Sequence, residues 1–255
     1  MTAHAVKFGA DIRQDTVDSI VRGDDGIFEV KTALGHVYEA PAVILTAGGT
    51  PTKLEVPGEL EYAGRGVSYC AVCDGAFFKG ETLAVIGGGD AAVEEADYLT
   101  RYGQKVYVIH RRDQFRASKI LQERLFANPK IEVIWNKRVL EFKGTPAGLQ
   151  SLELEDTVTG EKSSLAATGA FVFIGFRPNT GLVKQHAVHD PSGYLVTDDR
   201  MMTSIPGLYA AGDVRSQLTR QITTAVGDAT TAAIAVEKYL ADRKSRLASE
   251  AKVGV

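Results

Sequence analysis

A chain of 255 residues with 44% apolar side chains can bury one or two cores, because single cores stop growing near about 250 residues. Its 29 basic and 32 acidic residues leave a net charge of −3 spread along the sequence, which excludes a basic footprint for nucleic acid or anionic lipid and points to small molecules or proteins as partners. No segment nears the roughly 18 uninterrupted apolar residues of a membrane span, and residues 1–11 hold no signal-type apolar run, so a cytoplasmic location without membrane contact is expected. The only two cysteines are separated by two residues, which excludes a disulfide-stapled secreted fold and leaves a redox pair or half a metal site.

In chain order, Met1–Phe8 reads as a helix, followed by short β-type runs at Glu29–Lys31, Val37–Tyr38 and Ala42–Leu45, a small antiparallel meander punctuated by Gly23-Asp24-Asp25-Gly26 and Gly35. The last run is apolar on both faces and ends in Ala47-Gly48-Gly49, which suits entry into a buried parallel sheet. Pro51, Pro57 and Gly58 mark a linker. Leu83–Ile86, Gly87-Gly88-Gly89, a helical stretch over Ala91–Tyr102 and Val106–Ile109 then make a βαβ unit. Arg116–Phe126 is predicted as helix, Ile131–Trp135 as strand, and Leu149–Leu154 with Gly169–Ile174 as more sheet. Gly175-Phe-Arg-Pro-Asn179 reads as a second linker, Gly207–Ala211 as a buried strand, Thr223–Leu240 as a long helix, and 241–255 as a tail expected to fray. The fold class is therefore α/β in two domains, with residues 53–175 inserted between 1–52 and 176–255.

Three motifs carry chemistry. Gly87-x-Gly89-x-x-Ala92 follows a strand and opens a helix, as a dinucleotide fingerprint must: one glycine for the tight turn, one for approach of the pyrophosphate, and a small residue for helix-on-strand packing. Where an NAD site would end its second strand in a carboxylate, this chain has His110-Arg111-Arg112 with Arg116 beyond, donors that suit a 2′-phosphate and favour NADPH over a merely solvated basic turn. Cys70-x-x-Cys73 can close a readily exchanged disulfide, and Asp74 beside it can pass a proton. A zinc site completed by His186 and His189 is the competing reading. Zinc ligand pairs close over about a dozen residues, whereas more than a hundred intervene here, so the two histidines read as surface loop residues. Finally, Gly212-Asp213 ends a strand where cofactors bind in open sheets, and the helix beginning near Gln221 offers a positive end suited to a reduced flavin, although a plain turn or cap role fits Asp213 equally.

Taken together, Thr46-Ala-Gly-Gly49, Cys70-Ala-Val-Cys-Asp-Gly75, Gly87–Ala96, His110-Arg-Arg-Asp-Gln-Phe-Arg116, Gly207–Asp213 and Arg220-Gln221 resemble the low-molecular-weight, bacterial-type thioredoxin reductases over nearly the whole chain. The resemblance implies a homodimeric flavoprotein that passes electrons from NADPH to FAD, to the Cys70/Cys73 pair and to thioredoxin, with the inserted domain binding NADPH and the outer one FAD. It further implies that Cys73 faces the flavin, Cys70 attacks thioredoxin and Asp74 is the acid. By the same likeness Gly48, Gly212, Asp213, Arg220, Gln221 and Ile222 meet the flavin. Peroxiredoxin-reducing relatives, with an extra redox domain, and ferredoxin-type relatives, without the cysteines, fit less well.

One departure stands out: members of that family begin with their own Gly-x-Gly-x-x-Gly turn for the ADP half of FAD, and none precedes the meander here. The outer domain is then expected to lack its first central strand, and the alternative function is a truncated, flavin-free NADPH-binding fragment without turnover.

Overall fold

The computed structural model describes residues 2–183 and 186–253. The chain forms two units, Met1–Thr50 with Arg177–Val255, and Pro51–Phe176.

The first unit opens with α1 (Thr2–Lys7), exposed throughout; Met1 of the expected helix lies outside the described residues. β1 (Val17–Arg22), β2 (Phe28–Thr32) and β3 (Val37–Ala40) form an antiparallel sheet in that order. β1 had no sequence signal because its register shifts between Val17 and Ser19, which breaks the period-two alternation that marks a half-buried strand. β4 (Val43–Leu45) leaves this meander, and β5 (Gly49–Pro51) follows.

The second unit holds β6 (Val67–Ser68), α2 (Ala71–Asp74) with a 3₁₀ turn over Gly75–Phe78, β7 (Thr82–Gly87), α3 (Asp90–Leu99), β8 (Lys105–Ile109), α4 (Lys119–Ala127), β9 (Ile131–Ile134), β10 (Lys137–Thr145), β11 (Gly148–Asp156), β12 (Lys162–Ala166) and β13 (Gly169–Phe173). A five-stranded parallel sheet runs β6-β13-β7-β8-β9. Its alternate residues serve opposite faces. Leu83 and Val85 pack with Ala92, Val93, Ala96 and Leu99 of α3 and Leu125 of α4, while Ala84 and Ile86 pack with Val139, Phe142, Leu152 and Leu154 of the antiparallel β10-β11-β12 sheet. Both faces are covered, which is why these strands read as unbroken apolar runs. Each fully buried Leu or Val contributes about 1.5–3 kcal/mol. α4 starts three residues later than predicted because the amides of Arg116 and Ala117 turn back to Gly88 O and Ser118 sits extended at the cap.

Where the chain passes from the second unit back to the first it forms β14 (Phe176–Pro178), paired with β5, so both segments read as bare linkers contain strand. β15 (Leu208–Ala210) pairs in parallel with β4, Tyr209 opposite Ile44. Leu208 and Ala210 join Ile20, Phe28, Leu45 and Leu195 in one cluster, and Tyr209 and Ala211 meet Ala232 of α5 (Ile222–Val253) in another. The frayed tail expected over 241–255 is instead helix to Val253, with Gly254 and Val255 outside the described residues. Residues 241–253 are rich in Ala, Lys, Arg, Leu and Glu and contain no Gly or Pro, and Arg243 Nη2 donates to Asp25 O at 2.9 Å.

Candidate functional site

Parallel strands place all their carboxyl ends on one edge, so β6, β7 and β8 deliver the cysteine loop, the glycine turn and the basic turn to the same rim of the second unit. The glycine turn is built by close packing. A Cβ on Gly87 would stand 2.4 Å from Phe173 O and 2.6 Å from Ala92 Cβ, whereas one on Gly89, at the head of α3, would meet nothing within 4 Å. The first position therefore demands glycine for the fold, and the third leaves its outer face open to a ligand. Ala92 is fully buried under the turn.

The basic turn is tied to the glycine turn by hydrogen bonds. His110 Nδ1 lies 3.0 Å from Gly87 O, and the amides of Arg116 and Ala117 donate to Gly88 O. His110 is buried against Phe115 and Trp135, and burial pushes its imidazole below the ordinary range. A cavity of about 290 Å³ opens here, lined by Gly87, Gly88, His110, Arg111, Arg112 and Arg116. Two further cations on its wall, Lys137 and Arg138, were missed in the sequence because β10 carried no clear periodicity. Lys137 pairs with Asp156 at 3.2 Å and Arg138 with Glu155.

In the cysteine loop, Cys70 and Cys73 are joined by a disulfide, Cα to Cα 5.3 Å. Cys70 is the N-cap of α2, its Sγ accepting the Cys73 amide at 3.1 Å; Cys70 is half-buried and Cys73 exposed. Ser68, also missed in the sequence, is buried at the end of β6, and its hydroxyl donates to Asp74 Oδ2 at 2.7 Å. Val72 and Phe77 stand exposed beside the pair. Both sulfurs are committed to each other, and among the described residues no cluster of three His, Cys, Asp or Glu side chains could hold a metal. His186 is exposed as expected, but His189 is half-buried, its Nδ1 2.7 Å from Ala187 O and its Nε2 enclosed.

In the first unit, β15 runs into Gly212, at φ 78°, and Asp213, whose buried Oδ1 has no hydrogen-bond partner. Arg220 lies 3.9 Å over the Tyr194 ring and has a buried, unpartnered Nε; Ile222 at the head of α5 is exposed, and the Gln221 amide donates to Thr224 Oγ1. Gly48, at φ 62°, receives the Asn179 amide on its carbonyl. A buried carboxylate oxygen without a donor and a buried guanidinium nitrogen without an acceptor fit a polyhydroxylated ligand such as the ribityl chain of FAD. Asp228 and Arg215, which no motif marked, form a partly buried ion pair at 3.0 Å, and Asp228 Oδ2 also accepts the Gly212 amide at 3.1 Å.

A nucleotide-type glycine turn and an exchangeable disulfide on one sheet rim define a pyridine-nucleotide-dependent disulfide reductase. Residues 4–229 match the family model described as pyridine nucleotide-disulphide oxidoreductase. The thioredoxin reductase of Bacillus subtilis (strain 168) is 45% identical over 97% of this chain and 78% of its own length, and that of Listeria innocua is 44% identical over 98% and 78%. The crystal structure of thioredoxin reductase from Streptococcus pyogenes MGAS5005 superposes with a TM-score of 0.90 at 46% identity, covering 94% of this chain and 78% of that one. The chain belongs to the bacterial-type thioredoxin reductases, a family of oxidoreductases that use NADPH and FAD around a redox-active cysteine pair.

Proposed function

We propose that electrons pass from NADPH, held by residues 53–175, through FAD, held by 1–52 with 176–255, to Cys70–Cys73 and on to the disulfide of a thioredoxin-type protein. NADPH and FAD, when bound, supply the hydride donor and its acceptor. Arg111, Arg112 and Arg116 clamp the 2′-phosphate, His110 braces the turn above them, and Gly87, Gly89 and Ala92 let the pyrophosphate approach the head of α3. Asp213 accepts from ribityl hydroxyls, with Gly48, Gly212, Arg220, Gln221 and Ile222 around the ring system. Exposed Cys73 takes the flavin-facing role. Cys70 attacks the partner disulfide, Cys73 then displaces the partner and re-forms the internal bond, and Asp74 gives the departing sulfur its proton.

The observation that carries this reading is the Cys70–Cys73 disulfide on the same sheet rim as the glycine turn and its arginines. Val72 and Phe77 support a protein partner by offering apolar contact beside the pair. Homodimerisation is supported by Val226, Ile234 and Leu247 exposed along α5. The near-neutral charge supports a role without nucleic acid, and the lone exchangeable cysteine pair supports the cytoplasm as its compartment. No helix among the described residues is long and apolar enough to cross a membrane.

The test is to incubate the purified chain with FAD, record flavin absorbance, then add NADPH and thioredoxin and follow NADPH oxidation. Bound flavin and thioredoxin-dependent turnover are expected. A colourless protein that still quenches NADPH fluorescence would establish the flavin-free fragment instead.

A further inference from the structure

The Ser68 hydroxyl sits among three partners at once. It lies 2.7 Å from Asp74 Oδ2 and 3.3 Å from Cys70 O, and it accepts the Cys70 amide at 3.1 Å. That amide occupies one lone pair in either state, so the hydroxyl proton and the remaining lone pair are what Ser68 has left to offer. With Asp74 ionised, the hydroxyl donates to the carboxylate. With Asp74 protonated, its O–H can donate to Ser68 Oγ, and the hydroxyl proton can turn to Cys70 O.

We propose that Ser68 is a positioning residue for disulfide exchange, a hydroxyl whose hydrogen bond to Asp74 reverses direction as Asp74 gains or loses its proton and so keeps the carboxyl group aimed in both states. This rests on Asp74 as the acid of the exchange step. In that step an incoming thiolate forms a bond to one sulfur of Cys70–Cys73, the S–S bond breaks, and the Asp74 proton passes to the departing sulfur. The Ser68 proton then swings from Cys70 O to the new carboxylate. Protons and electrons balance, and the reductant is the incoming thiol.

The surroundings suit a single-partner relay. Ser68 is 5% exposed, so water does not readily substitute for it. A Cβ on Gly75 would meet Leu99 and Tyr102, so the carboxyl end of α3 is what packs against the loop after Asp74. The titratable groups there are Glu95, Tyr98, Arg101 and Tyr102; Tyr98 bonds Tyr102 at 3.2 Å, and Arg101 lies over the Tyr98 ring. On the other side Tyr69 donates to Glu59, and Lys79 follows the 3₁₀ turn as an exposed cation. Tyr98 and Tyr102 pair with each other, Arg101 with Tyr98 and Tyr69 with Glu59, none of them with Asp74. A hydroxyl donating to a carboxylate favours its charged form, more strongly than the reverse bond favours the neutral one.

The experiment needs no flavin. The oxidised full chain is reduced with excess dithiothreitol across a pH series, the remaining disulfide is trapped by alkylation and weighed by mass spectrometry, and rates are corrected for the dithiothreitol thiolate. The wild-type rate should contain a proton-assisted component that fades as pH rises. Ser68→Ala should move the pH at which this component fades, because the carboxyl loses the hydroxyl that aims it. Ser68→Thr should restore the wild-type profile, and Ser68→Gly carries the same test should the alanine variant not fold. Asp74→Asn should remove the component. If Asp74→Asn leaves the profile unchanged, Asp74 is not the acid and the reading beneath the proposal fails. If Asp74→Asn removes the component while Ser68→Ala alters only the rate and not its pH midpoint, Ser68 is merely structural and the proposal alone is overturned.

Discussion

The His110 ring lies so close over Gly88 that a Cβ on the glycine would stand 2.2 Å from its Cε1, with Nδ1 of the same ring 3.0 Å from Gly87 O. Three neighbouring glycines therefore have different reasons to be glycine. Gly88→Ala should force the ring out of its pocket and cost about 1–3 kcal/mol of stability. Gly89→Ala meets no atom within 4 Å and should melt within a degree or two of wild type, yet lose NADPH binding about tenfold or more, because its methyl occupies the face the pyrophosphate approaches. Thermal unfolding with and without NADPH separates the two. Equal losses of stability in both variants would refute the division.

The same ring gives the second unit a pH dependence. Burial keeps the His110 imidazole neutral to lower pH than usual; Arg111 and Arg112 add to this, while the Gly87 and Gln114 carbonyls oppose it. Between the lowered value and the ordinary one of 6.5, the unfolded chain binds more protons than the folded one, so stability rises with pH there. The contribution is complete above the ordinary value and is lost as pH falls below it. Urea unfolding at a series of pH values from 7.5 to 5.5 should show wild type weakening more steeply than His110→Gln. Parallel curves would show that the ring titrates as it does in the unfolded chain.

What could be read from sequence was what is local in sequence. The glycine turn, the basic turn and the Cys-x-x-Cys each announce themselves within ten residues, and the structure puts them at the ends of β7, β8 and β6. The residues that hold them come from elsewhere. Asp228 reaches Gly212 from 16 positions away and Arg215 from 13, and Glu59 accepts the Tyr69 hydroxyl ten residues on as well as the Leu54 and Glu55 amides. Such pairings exist only once the strands are laid side by side. β10, which brings Lys137 and Arg138 to the cavity beside the glycine turn, was hidden because its register shifts between Val139 and Glu141 and again between Lys143 and Gly144.

Those two added cations sharpen the case for the arginines. Lys137 and Arg138 are each engaged by a carboxylate, whereas among the described residues Arg111, Arg112 and Arg116 make no ion pair. Arg112→Ala should therefore weaken NADPH binding roughly 10- to 100-fold, the value of one charge-assisted bond, and barely alter NADH binding. Lys137→Ser should weaken NADPH less, since Asp156 already holds that ammonium. Fluorescence titration with both nucleotides gives the ratio. An equal loss for NADPH and NADH in the arginine variant would mean that the basic turn reads something other than the 2′-phosphate.

The Arg215–Asp228 pair joins the turn after β15 to α5. Arg215 Nε donates to Thr197 Oγ1 at 3.0 Å, its Nη1 to Asp228 Oδ1, and Asp228 takes the Gly212 amide as well, so one buried carboxylate fixes the backbone on which Asp213 is mounted. Breaking such a pair from one side strands the other charge in the interior. Asp228→Leu should destabilise the protein by about 3 kcal/mol, and Arg215→Met by a similar amount. The double variant should recover much of the loss, since no uncompensated charge remains, although the Gly212 amide still lacks its acceptor. Flavin affinity should behave differently and stay weakened in the double variant, because the turn carrying Asp213 is no longer tied to the helix. Urea unfolding and FAD titration of the four proteins test both halves. Additive stability losses would show that the two charges do not depend on each other, and unchanged FAD affinity in the double variant would show that the turn holds its shape without them.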